Sequence, residues 1–330
     1  MDKFNKKNNM KILITGISGF VGSHLAEYCL TIPEAEVYGT IMFHHLGDEM
    51  RRISHIKDKI KLFECNLTSR IAVERVLQKV MPDKIFHLAA QSFVRVSWDS
   101  PEDTISNNIM SELNIFEACR SLGINPVIQI AGSSEEYGLI LENEVPIKET
   151  NPLRPLSPYA VSKIGQEMLG YQYYKSYGLK TVLTRAFNHE GPGRGEHFVT
   201  STFAKQIAQI EKGKQDPVVK VGNLNAQRDY TDARDMVKAY WLATEKCEFG
   251  KPYNICSSKA WKIEKVLEFL LSLSTIKDIK IEQDPERMRP SDVQILLGDY
   301  SEFNKATGWN PEISFEKTLE DTINYWRKIV

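Results

Sequence analysis

Apolar residues recur along the first half of the chain in two alternating rhythms. Short runs that are apolar on both faces fall at 11–16 (KILITG), 36–41 (EVYGTI), 61–66 (KLFECN), 84–90 (KIFHLAA), 127–132 (VIQIAG) and 180–187 (KTVLTRAF). Stretches at helical spacing lie between them, at 20–30, 69–80, 102–122 and 158–177. A strand that is apolar on both faces has to be covered on both, and its alternation with helices predicts a parallel sheet. Right-handed crossovers then make a doubly wound α/β fold the economical topology.

Near residue 188 the pattern loosens. NHEGPGRGEHFVT (188–200) reads as a loop rich in glycine and charge. A helix follows at about 199–212, then a strand at 218–222, a helix at 235–245, a strand at 252–256 and further mixed elements. This half is too irregular to continue the parallel sheet in full. The expected organisation is a disordered tail over 1–9, a sheet domain over 10–187 and a smaller mixed α/β lobe mainly over 188–330, with some exchange of chain between the two. A cleft between the lobes is the natural ligand site.

Composition narrows the class. The 330 residues carry a net charge of −1, with 26% charged and 42% apolar positions. That balance gives no electrostatic footprint for nucleic acid. No apolar run approaches membrane-spanning length. The opening MDKFNKKNN has no apolar core behind it and does not read as a secretory signal. The five cysteines form no CxxC pair, which fits reduced, buried thiols in a cytoplasmic protein. The histidines, including the pair His44–His45, show no metal-ligand spacing, so no metal is expected.

Chemistry enters at TGISGFVGSH. Gly16, Gly19 and Gly22 stand between the first strand and the first helix. Glycine permits a sharp turn and lets a pyrophosphate approach the backbone, with the helix N-terminus facing the anion. This is the signature of a Rossmann-type dinucleotide site, although a tight strand–helix turn without a ligand would also use glycine. The residues after the second strand, YGTIMFHHLGDEMRR, show neither the acidic residue that holds a ribose nor an arginine directly after the strand for a 2′-phosphate. His44, His45, Arg51 and Arg52 are within reach of one. NAD and NADP both stay open.

SPYAVSK places Tyr159 and Lys163 at i and i+4, on one helix face behind Pro158. Such a pair is either solvated or tuned for proton transfer. A free phenol titrates near pH 10, and an adjacent ammonium together with a positive nicotinamide favours the phenolate. Residues just past a strand's carboxyl end face the crevice, so Ser133, Ser134 and Glu135 after VIQIAG line the same cleft. Asn108 is a candidate to anchor the lysine through water.

Together TGISGFVG, FHLAAQS, SSEEYG, SPYAVSK and FNHEGPGRGEHFVT resemble the extended short-chain dehydrogenase/reductase family. More narrowly they resemble its branch of GDP-mannose 4,6-dehydratases and GDP-4-keto-6-deoxymannose reductases. VGNLNAQRDY, RPSDV and GWNPEISFEKTL carry the likeness towards the C-terminus. The resemblance implies a Ser–Tyr–Lys triad at Ser133, Tyr159 and Lys163, with Glu135 as a carboxylate base. It implies cofactor contacts from Gly16, Gly19, Phe20, Val21, Gly22, Asn66, Leu88, Ala89, Ala90, Asn108, Tyr159 and Lys163. Substrate contacts fall on Ser92, Ser134, Asn188, Val199, Lys205, Gly222, Arg228 and Arg289. A guanidinium suits a diphosphate on independent grounds.

Three positions depart from the branch. Ser133 replaces the usual threonine of the dehydratases, Met42 and Phe43 replace arginines after the second strand, and Asn66 replaces an aspartate near the adenine. The resemblance implies NADP, or NAD, as cofactor and a cytoplasmic homodimer or homotetramer acting on a GDP-sugar. GDP-mannose dehydration is the first expectation and 4-keto reduction the second. Related chemistry on another GDP-sugar, such as a GDP-heptose, and a non-catalytic nucleotide sensor follow.

Overall fold

The computed structural model describes residues 9–42, 48–287 and 293–330. In chain order the first part contains β1 (Met10–Thr15), α1 (Phe20–Cys29), β2 (Ala35–Ile41), α2 (Asp48–Arg51), β3 (Lys61–Glu64) and α3 (Arg70–Val80). It continues with β4 (Lys84–His87), α4 (Val94–Asp99), α5 (Pro101–Leu122), β5 (Val127–Ser133), α6 (Pro158–Tyr177) and β6 (Lys180–Ala186). The second part contains β7 (Asn188–Glu190), α7 (Val199–Glu211), β8 (Val218–Val221), β9 (Gln227–Asp232), α8 (Ala233–Lys246) and β10 (Pro252–Ile255). It closes with β11 (Ala260–Lys262), α9 (Ile263–Ser272), β12 (Lys280–Gln283), β13 (Ile295–Leu296), α10 (Ser301–Thr307) and α11 (Phe315–Ile329).

Seven strands form one parallel sheet in the order β10-β6-β5-β4-β1-β2-β3. The doubly wound expectation is therefore met, and β10 adds a strand from the second half beside β6. One face is covered by α1 and α8, where Leu25, Met236 and Tyr240 pack beneath Ile12, Ile14 and Phe86. The other is covered by α3, α5 and α6, where Leu77, Phe116 and Tyr173 meet Leu13, Ile85 and Ile130. Each such fully buried apolar side chain contributes roughly 1.5–3 kcal/mol.

Local chemistry sets the helix ends. Ser157 accepts from the Ala160 amide at 3.1 Å, and Pro158 opens α6. Gly178 closes α6 in the left-handed region with φ 70°. The 84–90 run is shorter as a strand than its apolarity predicts. Thr15 Oγ1 accepts from both the Leu88 and Ala89 amides at 3.1 Å, drawing the chain off the sheet after His87.

The second part builds its own core from α7, α9 and α11 around Phe203, Leu267, Leu319 and Trp326. Small sheets lie beside it: β11-β9-β13 with β7 on β9, and β12-β8. The 188–200 stretch, expected as loop, begins with β7 because residues 188–190 pair in parallel with Tyr230, Thr231 and Asp232. A fourth cluster, including Tyr137, Phe187, Cys256 and Leu296, joins the two parts. All five cysteines are buried and free. Among the described residues no helix is long and apolar enough to cross a membrane.

Candidate active site

The carboxyl ends of β1, β2, β4, β5 and β6 open onto a cavity of ≈ 1940 Å³, closed on its far side by α7 and the β8–β12 pair. The glycine turn forms one end. Gly16 has φ +67°, and a Cβ on Gly22 would stand 2.3 Å from the Gly16 carbonyl oxygen. Gly19 caps α1 without any side chain over its first amides. Gly16, Gly19, Phe20, Val21 and Gly22 all line the cavity and leave a phosphate-sized approach to those N–H groups. These features fit a dinucleotide.

Further along this end lie Asn66, Leu88, Ala89 and Ala90. The Asn66 carboxamide oxygen accepts from the Thr68 amide and hydroxyl at 3.0 and 2.8 Å, so the residue also shapes its own turn. Arg52 donates to the Gly193 carbonyl at 2.8 Å and approaches the Ser18 carbonyl at 3.5 Å. It thus ties the 191–195 loop to the glycine turn. Met42 lines the cavity nearby, while Phe43, His44 and His45 lie outside the described residues.

At the centre stand Ser133, Ser134, Glu135, Tyr159 and Lys163. The Ser133 hydroxyl accepts from the Glu135 amide at 3.2 Å, which leaves its proton for the Tyr159 oxygen. Glu136 accepts from the Ser133 amide at 2.6 Å and fixes this turn from behind. The Lys163 Nζ lies 5.8 Å from the centre of the Tyr159 ring. It donates to the Ala131 carbonyl at 2.8 Å and to Gln166 Oε1 at 2.9 Å.

Burial dominates the electrostatics of this pair. In the chain alone the Tyr159 phenol is held above its ordinary value, because burial outweighs the favourable Ser133 hydrogen bond and the Arg194 charge, and Glu135 and Glu136 add to the rise. Burial also lowers Lys163 to about 8, against Glu112 and Glu136, which favour its charge.

Asn108 takes a different place from the one expected. Its carboxamide holds the Gln91 backbone from both sides, accepting at 2.8 Å and donating at 3.1 Å, and donates to Ser162 at 2.9 Å. Ser162 in turn donates to the Tyr159 carbonyl at 2.7 Å. Asn108 thus braces the helix that carries the phenol, and the lysine is anchored by Ala131 and Gln166.

The remaining expected residues lie towards the second part. Ser92, Asn188, Val199, Lys205, Gly222 and Arg228 line the cavity. Lys205 pairs with Glu196. Arg228 donates to the Gln227 and Val293 carbonyls at 2.8 and 2.6 Å. Arg289 lies outside the described residues.

Several lining residues escaped the sequence reading. Arg194 is held with its guanidinium 3.4 Å from the Phe198 ring centre and 5.0 Å from that of Phe20, and lies 3.9 Å from Glu190. His189 stacks on Phe20 at 6.2 Å. The motif FNHEGPGRGEHFVT that holds them carried the family resemblance, but its charge density alone also describes an ordinary surface loop. Among the described residues no three His, Cys, Asp or Glu side chains are arranged to hold a metal.

The chain matches a family model described as GDP-mannose 4,6 dehydratase over residues 13–322. It is 30% identical to a GDP-6-deoxy-D-mannose reductase of Pseudomonas aeruginosa, covering 97% of this chain and 98% of that protein. It is 35% identical to a GDP-mannose 4,6-dehydratase of Vibrio cholerae, covering 96% and 93%. Among solved structures, RMD from Pseudomonas aeruginosa complexed with NADPH superimposes with a TM-score of 0.84 at 29% identity, covering 97% and 100%. A UDP-glucose 4-epimerase with UDP-glucose from Thermotoga maritima gives a TM-score of 0.86 at 26% identity, covering 97% and 99%.

Proposed function

The chain belongs to the GDP-mannose 4,6-dehydratase family, and from that premise we propose that it converts GDP-mannose to GDP-4-keto-6-deoxymannose and water. As an NAD(P)-dependent enzyme of a GDP-sugar it is a dehydratase or a reductase. The observation that favours dehydration is Glu135. Its residue lines the cavity in the same turn as Ser133, opposite Tyr159. Ketone reduction needs no carboxylate there.

The glycine turn and the first amides of α1 would hold the pyrophosphate of a nicotinamide dinucleotide, which supplies reversible hydride transfer when bound. Tyr159 takes the proton of the C4 hydroxyl while Ser133 holds that oxygen. Lys163 supplies the positive charge that favours the phenolate. The C4 ketone acidifies the C5 hydrogen, Glu135 removes it as a proton, and the C6 hydroxyl departs as water. The C6 position is then reduced and the C5 position reprotonated, so the cycle consumes no external reductant. Arg228, Lys205 and Asn188 bind the sugar nucleotide, with Arg289 as a further diphosphate ligand.

Reduction of a 4-keto sugar is the second reading. It is favoured by likeness to the Pseudomonas aeruginosa reductase over nearly the full length of both chains. There Tyr159 gives its proton to the C4 oxygen. Incubation of GDP-mannose with the protein and no added reductant separates the two. A 4-keto product means dehydration, and turnover only with a 4-keto substrate and NAD(P)H means reduction.

Assembly as a homodimer through α6 is part of the same proposal. Val161, Met168 and Tyr171 are apolar or aromatic side chains left 44%, 46% and 46% exposed on that helix. Met110 of α5 and Trp98 of α4 are exposed on neighbouring helices. A cytoplasmic location fits the five free thiols.

A further inference from the structure

Behind the wall that carries Tyr159 and Lys163, α5 and α6 enclose a carboxyl that the reaction above does not use. Glu112 is fully buried. Neither of its carboxyl oxygens has a well-formed hydrogen bond among the described residues. The Gln166 amide approaches it, and the charges facing it are Lys163 and Glu167 of α6 and Glu136 of the turn after β5.

The other charges in this compartment already have partners. Arg185 of β6 donates twice to Glu167, at 2.7 and 2.6 Å, and lies 3.7 Å from Glu136. Glu136 also accepts the Ser133 amide. His87 of β4, which faces Lys163, is kept neutral by burial. Lys163 itself touches a carbonyl and a carboxamide oxygen, neither of which carries a charge. Because Gln166 accepts from Lys163 through Oε1, its NH₂ group is the one left for Glu112.

We propose that Glu112 is a positioning residue for Lys163: through the Gln166 amide, and by its charge once ionised, it keeps the ammonium in place and protonated beside Tyr159. The inference rests on the roles proposed above for Tyr159 and Lys163. Burial holds the Glu112 carboxyl well above the usual carboxylate range, while Lys163 pulls it down. Because the Glu112 charge is one of those that hold the proton on Lys163, losing that charge moves the lysine's release to lower pH. The effect is to widen the working range on the alkaline side.

Glu112→Gln keeps the shape and removes the ionisation. With the cofactor-loaded enzyme, the alkaline limb of kcat should move to lower pH by about half a unit or more. Turnover in mild acid should stay within about twofold, and KM for the sugar nucleotide should not change. Infrared difference spectra of the wild type should show a titrating carboxylic-acid band that Glu112→Gln lacks. An unmoved alkaline limb in an active enzyme, or the absence of that band, overturns the proposal. Wild-type protein inactive on both substrates would overturn the proposed function instead, and the infrared band would still test Glu112. Should Glu112→Gln not fold, Glu112→Met removes the same charge while filling the same space. It should shift the limb in the same direction, and no shift there counts equally against the idea.

Discussion

The Lys163 ammonium lies 2.8 Å from the carbonyl oxygen of Ala131, which fastens α6 to the end of β5 two residues before Ser133. This hydrogen bond joins the two elements that carry the serine and the phenol. Burial has lowered this lysine to about 8, so its charge is present below that pH and lost above it. Turnover should fall correspondingly on the alkaline side. Lys163→Met should lower kcat by roughly 10²-fold or more across the whole range. Lys163→Arg, whose charge does not titrate, should be slow but should lose the alkaline fall. A pH–rate profile of the three proteins checks this, and a wild-type limb retained in Lys163→Arg would contradict it.

Glu135 distinguishes the two chemistries. Glu135→Gln should reduce dehydration of GDP-mannose by about 10²–10⁴-fold while leaving reduction of a supplied 4-keto sugar within a few-fold. Solvent deuterium exchange at C5 gives a direct readout and should vanish in the variant. Equal loss of both activities would deny Glu135 its role.

His87 provides a stability test independent of catalysis. Thr15 Oγ1 accepts two backbone amides and therefore donates to His87 Nδ1 at 2.9 Å, which leaves the other ring nitrogen to donate towards Ser111 at 3.4 Å. Burial lowers this imidazole from 6.5 to about 3. The unfolded chain takes up a proton below pH 6.5 and the folded one does not until about 3, so stability is full above 6.5 and lost as the pH falls through that window. The loss is on the order of 5 kcal/mol. His87→Asn should be less stable at neutral pH yet show a flatter decline between pH 6 and 4, by denaturant titration at each pH.

These residues differ in how far the sequence discloses them. Gly16, Tyr159 and Lys163 were legible because a glycine turn after a strand and an i, i+4 pair each depend on local geometry alone. Ser133 and Glu135 were legible because strand ends in a doubly wound sheet point to the crevice. Glu112 was not, since a glutamate within SELNIF looks like any solvated helix position until α6 is packed over it. β9 was hidden for a related reason. QRDYTD reads as polar surface, yet Asp229 is buried, accepting from the Ser257 amide and hydroxyl at 2.7 and 2.6 Å and from Gly298 at 3.2 Å. Those partners come from distant segments, and only the folded chain brings them together.

Arg52 bears on cofactor choice. Its Nε and one terminal nitrogen face the Gly193 and Ser18 carbonyls, in the cavity that Ile41 and Met42 at the end of β2 also line. Arg52→Ala should weaken both NAD and NADP by loosening the 191–195 loop, and NADP more, by about a further tenfold. Fluorescence titration with each dinucleotide measures the difference. An equal loss for the two would make Arg52 a loop anchor alone.

The exposed stripe on α6 yields the last prediction. Val161 and Met168 are one heptad apart, on the same side of the helix, and each is nearly half exposed. Isolated apolar side chains on a surface need no explanation, but here Tyr171 continues the stripe and Met110 and Trp98 lie on adjoining helices. The same helix carries Tyr159 and Lys163, so a partner seated there would stiffen the catalytic face from outside. Val161→Glu with Met168→Glu should leave the fold intact, since neither side chain belongs to the core, and should convert a dimer to a monomer in sedimentation velocity at micromolar concentration. Activity should fall with assembly and recover in part as protein concentration rises. A wild type that sediments as a monomer, or a double variant that stays dimeric, would place the interface elsewhere.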